Sequence, residues 1–504
     1  MPSKKLRRSH AGFPTEIWEL IFKKLSEEIP DHMQWFSYHF TEPEALPSQL
    51  LAIQKLRLVC RTFNNLASPL LCPYLYLDIS YESIDRAKEL LKNPRIARGL
   101  RGIQLSLAYR PENFAYSRSE FSRNWETKLR DACSGLKFEL KQDTKPKYWE
   151  DNPSLYEKFQ AKEKQEAMLS TLRNFAQYLG PVESRRGYEF FRSSHERHKE
   201  KHYEQFELLM SGSFVRQLAA ALGQIRQPIA LNFTDDVREK YNMNNYHLFL
   251  GDSRLADTFI QPQPWSEIKD GLLPARVLTE LPIAISQAGG WLQSLKLSCP
   301  VKCCHMFPPL VPPEHSMIQL RDAFKFLRVV DVSRPGGWCM YTSALLSSGS
   351  LRYVRIRRRQ SRHSDASCNR PVCERERRRA RSFRTNKSTV KSLRIEHATI
   401  SQAELEQMLG MLSPRCKDIR ISSVRITFGS WFKIVESLRI KAGSRIGNGK
   451  CKLRFANLSG GGFPQRPRIG IHEDIQRQLA EYDEKMKRVL DYIAGKHVDK
   501  WWSV

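Results

Sequence analysis

His195, His198 and His202 lie at i, i+3 and i+7 in H-E-R-H-K-E-K-H, a spacing that gathers imidazoles on one helix face and first suggests a metal site. A metalloprotease helix needs its second histidine where Lys199 stands, and Arg197, Lys199 and Lys201 disfavour a cation nearby. A solvated charged face is expected instead. Gly443 to Cys451, G-S-R-I-G-N-G-K-C, approaches a phosphate loop but has one residue too many, with Cys451 where a hydroxyl would meet magnesium. Cys299, Cys303, Cys304 and His305 form one cluster, and His363, Cys368 and Cys373 another. Neither has paired C-x-x-C spacing, so no metal is assigned. With no G-x-S-x-G or other nucleophile motif, the reading is a non-enzymatic chain with no catalytic residues and no cofactor.

The charge is the next chemical feature. Lys and Arg number 82 against 54 Asp and Glu, a net +28 over 504 residues, which favours acidic or polyanionic partners and says nothing of fold. It is concentrated: residues 352 to 387 hold fourteen Arg and Lys against Asp365, Glu374 and Glu376. The two clusters are Arg357, Arg358 and Arg359, then Arg375, Arg377, Arg378, Arg379 and Arg381. A solvated loop over about 357–387 is one reading; nuclear import, nucleic-acid contact and docking of an acidic substrate are the others. Only Tyr353 and Phe383 interleave, which leaves base stacking unsupported. Eleven cysteines without regular spacing indicate reduced thiols. Met1 to Gly12 has no apolar stretch of a signal peptide, and no apolar run reaches the ~18 residues of a membrane span. Cytoplasm and/or nucleus, with no membrane partner, is the expected setting.

Several elements must position these groups. Residues 13 to 25, F-P-T-E-I-W-E-L-I-F-K-K-L, carry helix signals: Pro14 for a first turn, Glu16 early, Lys23 and Lys24 late. Ile17, Ile21 and Leu25 make one stripe beside Leu20, and Trp18 and Phe22 make a second. A helix apolar on two sides needs its own domain on one and a partner on the other. Leu56, Val59, Cys60, Phe63 and Leu66 follow helical spacing until Pro69.

With F-P-T-E-I-W-E-L-I-F from Phe13 followed by L-R-L-V-C-R-T-F-N-N-L-A from Leu56, the chain resembles the F-box family, in particular its fungal members. Phe13 stands where that family usually has Leu, and residues 27 to 49 lengthen the link. The resemblance covers residues 13 to about 79. It implies a three-helix module, residues 1–80, that docks on an SKP-family adaptor and through it on a cullin. The adaptor-facing residues it implies are Phe13, Pro14, Ile17, Ile21, Leu25, Leu51, Val59, Cys60 and Phe63. The function implied is that of a substrate-recognition subunit of an SCF-type ubiquitin ligase, its protein substrate unidentified. The rival is a basic nucleic-acid-binding or nuclear scaffold protein in which these helices are merely structural.

Beyond that module a six-residue pattern, apolar at positions 1, 4 and 6, recurs from Leu100, Leu292, Leu327, Leu351, Val390 and Cys416, and more weakly from Lys450. Alternation inside each copy indicates a strand, and recurrence every few tens of residues indicates stacked units. Ser401 and Glu404 form a capping box ahead of Leu405, Met408, Leu409 and Leu412. The expected class is α/β: an F-box, then an irregular leucine-rich-repeat-like solenoid over about 81–470, with an ordinary parallel α/β domain as the alternative. Residues 111–227 break the rhythm, with Leu155, Phe159, Met168, Leu169, Leu172, Phe175 and Leu179 on one run, and are taken as a helical insertion. Within 471–504, Ile475, Leu479, Tyr482, Met486, Val489 and Ile493 make one apolar helix face, suited to capping the stack or to holding a partner.

Overall fold

A computed structural model of the chain describes residues 15–28, 48–142, 166, 169–170, 173, 185–235, 262–263, 273–299, 314–333, 344–357, 389–463 and 473–496. Among these, the amino-terminal part has helices α1 (Thr15–Glu28), α2 (Ser48–Leu56) and α3 (Arg61–Ala67). The exposed Cys60 is the N-cap of α3, its Sγ accepting from the Phe63 N–H at 3.5 Å, and this aims Phe63 inward. Trp18, Phe22 and Phe63 meet edge to face at centroid distances of 4.5 and 5.6 Å, and with Ile53 and Ala67 they form a small core.

From there the chain builds one nine-stranded parallel sheet. Its strands are β1 (Tyr74–Asp78), β2 (Gly102–Ser106), β3 (Ile229–Thr234), β4 (Leu292–Leu297) and β5 (Val329–Ser333). They continue as β6 (Tyr353–Arg357), β7 (Ser392–Glu396), β9 (Asp418–Ser422) and β11 (Lys452–Ala456). The spatial order is the chain order, and every neighbouring pair is parallel. Three two-residue strands, β8 (Thr399–Ile400), β10 (Arg425–Ile426) and β12 (Ser459–Gly460), form a second parallel sheet beside the last three long ones.

All seven hexapeptide copies coincide with strands of the large sheet. Their positions 4 and 6 are in register from strand to strand: Leu295, Val330, Val354, Leu393 and Ile419 form one inward row, and Leu297, Val332, Ile356, Ile395 and Ile421 the next. These residues are almost wholly buried. Each contributes roughly 1.5–3 kcal/mol when fully buried, but only while the adjacent strand covers it. Two strands lie outside the copies found in the sequence. In β1 the pattern is present as C-P-Y-L-Y-L from Cys72, so the sheet starts inside the segment assigned to the amino-terminal module. In β3 it is P-I-A-L-N-F, with Pro228 in the first apolar place.

Among the described residues, helices lie between many of the successive strands. α4 (Tyr81–Lys92) is followed by the single turn α5 (Pro94–Ala97). α6 (Glu112–Tyr116), α7 (Arg118–Gln142) and α8 (Arg185–Met210) make up most of the described residues of the inserted segment. The insertion ends earlier than 227, because α9 (Ser213–Gly223) packs between α4 and α10 (Val277–Gln287) as a regular connecting helix, with α11 (Glu314–Phe324) next to α10. Leu169 of the apolar run is buried; the rest of that run lies outside the described residues.

The last three units share one course: strand, left-handed residue, buried apolar residue, short strand, helix. His397, Ser423 and Asn457 have φ of 53°, 54° and 53°, and Ala398, Val424 and Leu458 behind them are buried. The helices are α12 (Gln402–Gly410), α13 (Trp431–Gly447) and α14 (Glu473–Ile493). The Ser401–Glu404 capping box of α12 is formed, with Glu404 accepting from the Ser401 N–H at 2.7 Å. Tyr482, Met486, Val489 and Ile493 of α14 are buried against α13 and β11, so the helix covers the last unit. The near-phosphate-loop glycines serve this packing: a Cβ on Gly443 would meet the Ile493 carbonyl oxygen at 2.6 Å, and one on Gly447 the Ala494 oxygen at 2.7 Å.

Stability should therefore depend on position along the stack. Leu393→Ala, in the interior strand β7, is expected to cost about 2–5 kcal/mol, and Leu453→Ala, half-buried on the terminal strand β11, less than half as much. Urea denaturation checks this, and equal losses would contradict the stacked account.

Candidate interaction surfaces

The face of the sheet opposite the core is polar. Position 5 of each hexapeptide points there, and the register aligns Lys296, Asp331, Arg355, Arg394, Arg420 and Arg454 across β4 to β11. Lys296 and Asp331 are buried, whereas the side chains of Arg355, Arg394 and Arg420 are progressively more exposed at 24%, 36% and 42%, and Arg454 is exposed. Four arginines on adjacent strands, roughly 4.8 Å apart in the ladder direction, would repel without counter-charges.

The counter-charges stand two residues away in the same strands, and so on the same face. Glu396 accepts from Arg355 Nη2 at 2.8 Å and Nε at 3.3 Å, and its other oxygen lies 3.6 Å from Arg420 Nε. Arg394 Nε donates to Asp418 at 3.2 Å, and its guanidinium lies 5.7 Å from the Tyr353 ring centroid. Arg357, the first residue of the predicted basic loop, is instead the end of β6 and pairs at 3.5 Å with the fully buried Asp331. That corrects the grouping with Arg358 and Arg359: alternation from Arg355 puts Arg357 on the sheet face, where a buried carboxylate takes it. Arg358, Arg359, Arg375, Arg377, Arg378, Arg379 and Arg381 lie outside the described residues.

Burial pushes the Asp331 carboxyl up, against the pull of Arg357, Lys296 and Arg355. Burial also works to raise Glu396, but the hydrogen bond from Arg355 and the charges of Arg355, Arg420 and Arg357 outweigh it and hold the carboxyl below its ordinary value.

The amino-terminal helices offer a different surface. Ile17, Leu20 and Ile21 of α1 are exposed, as are Leu58 and Val59 in the turn before α3, while Trp18 and Phe22 face inward. The two-sided helix is thus divided as its pattern demands. Cys60 is exposed as well. Phe63 is not: it is buried against Trp18 and Phe22, and a role on the outer surface does not fit it. Phe13 and Pro14 lie outside the described residues, as do the side chains of Leu25 and Leu51.

The three histidines of α8 are buried, not solvated. They lie on a stripe of Phe191, His195, His198, His202, Gln205 and Leu209, stepping by four and three, and all six are buried. The flanking Phe191 and Leu209 were the overlooked signal that this stripe faces a core. Phe121 of α7 lies 5.4 and 5.2 Å from the His195 and His198 rings, and His202 Nδ1 donates to the Arg110 carbonyl at 2.8 Å. Gln205 donates to the Ala108 carbonyl and accepts from the Arg110 N–H, so the stripe pins the chain leaving β2. No group of three metal-ligating side chains is found among the described residues. Cys299 is buried, and Cys303, Cys304, His305, His363, Cys368 and Cys373 lie outside the described residues. No described helix is long and apolar enough to cross a membrane.

The fold class is α/β with a large parallel sheet and many connecting helices. Comparison with protein-family models, curated proteins and solved structures finds no match for this chain.

Because the folded-state pKa of Glu396 lies below its ordinary 4.5, the stability its charge supplies is present above that value and lost as pH falls through the folded one. Glu396→Gln is expected to cost about 1–3 kcal/mol at pH 7, the gap to wild type closing below pH 4.5. A gap that stays constant in denaturation from pH 7 to 3 would show that the arginines do not depend on this charge.

Proposed function

We propose that the chain is a non-catalytic substrate-receiving subunit of a cullin-based ubiquitin ligase, using its amino-terminal helices as an F-box on an SKP-family adaptor. The observation that carries this reading is the division of α1: Trp18 and Phe22 close the module's own core, and Ile17, Leu20 and Ile21 stay exposed. Exposed apolar side chains on a small helical module, with Leu58 and Val59 on the same module, suit burial against a partner helix. The motif resemblance supplies the class of that partner. The in-order parallel stack supports an irregular leucine-rich-repeat-like arrangement, with target proteins held on its open face.

The rival reading, a basic nucleic-acid-binding or nuclear scaffold protein, draws on the aligned arginines. Adaptor binding separates the two. Ile17→Asp or Val59→Asp is expected to abolish capture of an SKP-family adaptor without unfolding the chain, because both side chains are exposed in the free protein. Burying an unpaired carboxylate costs several kcal/mol, comparable with the ~8 kcal/mol of a micromolar complex. Phe63→Ala should instead destabilise the module by about 3–5 kcal/mol. The measurement is co-purification together with circular dichroism, and folded Ile17→Asp and Val59→Asp variants that bind like wild type would refute the reading.

A further inference from the structure

The sheet's outward face changes character along the stack. From β2 to β5 its polar residues, among them Gln104, Asn232, Lys296 and Asp331, are buried; from β6 to β11 the aligned arginines emerge, half-buried in Arg355, partly exposed in Arg394 and Arg420 and exposed in Arg454. The open arginines are not fully used by their neighbours. The nearest carboxylate contact of Arg394 and of Arg420 is made at Nε, at 3.2 and 3.6 Å, and Arg454 has no ion pair among the described residues. A guanidinium held through Nε still presents its two terminal nitrogens, the pair that grips a carboxylate in bidentate fashion.

We propose that the outward face of β6, β7, β9 and β11 docks an extended acidic polypeptide segment laid across the strands, its carboxylates gripped by Arg394, Arg420 and Arg454. The docking stands on the geometry of the sheet; calling the bound protein a ligase substrate rests on the receptor reading. Four strands span about 14 Å, the length of roughly four to five extended residues, so a short acidic stretch engages all the open arginines at once.

Charge pattern selects a polypeptide over a nucleic acid. Glu396 and Asp418 are set among the arginines on this face, within 3.6 and 3.2 Å of Arg420 and Arg394. A phosphodiester chain is negative at every repeat and would be set against both carboxylates. A peptide can place acidic side chains over the arginines and neutral or basic ones over Glu396 and Asp418. Stacking also favours the peptide, since Tyr353 is the one aromatic side chain among the described strand residues β6, β7, β9 and β11 that point outward, and Arg394 covers it.

The test uses the full chain, fluorescence anisotropy with a labelled Glu-rich peptide, its Gln counterpart and a labelled single-stranded oligonucleotide, at several salt concentrations. Wild type is expected to bind the Glu-rich peptide in a salt-sensitive manner and to ignore the Gln peptide. The triple variant Arg394→Gln, Arg420→Gln and Arg454→Gln should weaken the Glu-rich peptide about tenfold or more. Arg454→Gln alone, exposed and without a described ion pair, should weaken it about threefold in a chain whose folding is undisturbed. Absence of peptide binding, or binding unchanged in both variants, would overturn the proposal. Tighter binding of the oligonucleotide, lost in the triple variant, would overturn it in favour of a nucleic-acid surface. None of these readouts involves the adaptor, so loss of adaptor capture and loss of peptide docking are separate failures.

Discussion

Each strand of the large sheet buries its two inward side chains only because a parallel strand in the same register stands beside it. Leu393 and Ile395 of β7 are covered by Val354 and Ile356 on one side and by Ile419 and Ile421 on the other. No single unit has a core of its own, so register is the constraint on which stability, helix packing and surface chemistry rest. The ends need separate treatment. At the last strand α14 supplies the missing layer, approaching α13 closely through Gly443 and Gly447. At the first, β1 follows directly on the amino-terminal helices, whose small core of Trp18, Phe22, Ile53 and Phe63 stands beside the larger one.

The same register that aligns the core aligns whatever stands at position 5. Adjacent arginines are therefore a by-product of stacking unless neighbouring carboxylates intervene, and Glu396 and Asp418 do so from β7 and β9. The result is a partly neutralised array, strong enough in positive charge to attract and patterned enough to discriminate. Where the covered half of the face meets β6, the buried Asp331 paired with the partly exposed Arg357 shows the other outcome: a carboxylate raised by burial and tied to one arginine.

Much of this was legible in the sequence, for physical reasons. Strands of the stack must be apolar at positions 4 and 6, so L-R-Y-V-R-I and V-K-S-L-R-I declared themselves, and the Ser401–Glu404 capping box fixed the start of α12. Pro228 masked β3 by occupying an apolar place, and β1 was hidden inside a segment already assigned to another module. The basic residues at position 5 are visible in four consecutive copies. Their alignment was not, because it arises from pairing between residues 24 to 41 positions apart, such as Arg394 with Asp418 and Arg355 with Glu396. The histidines of α8 were misjudged because charged neighbours outweighed the four-and-three stepping that carried them inward with Phe191 and Leu209.

On the proposed reading two surfaces of opposite chemistry bind their partners independently, an apolar one on the amino-terminal helices and a charged one on the outward sheet face. Hydrogen exchange of the full chain, alone, with an SKP-family adaptor and with a Glu-rich peptide, tests it most directly. Adaptor should protect amides in 15–28 and 48–67 and leave β6 to β11 unchanged, and the peptide should do the reverse. Protection of the sheet strands by adaptor, or none in the amino-terminal helices, would contradict the account.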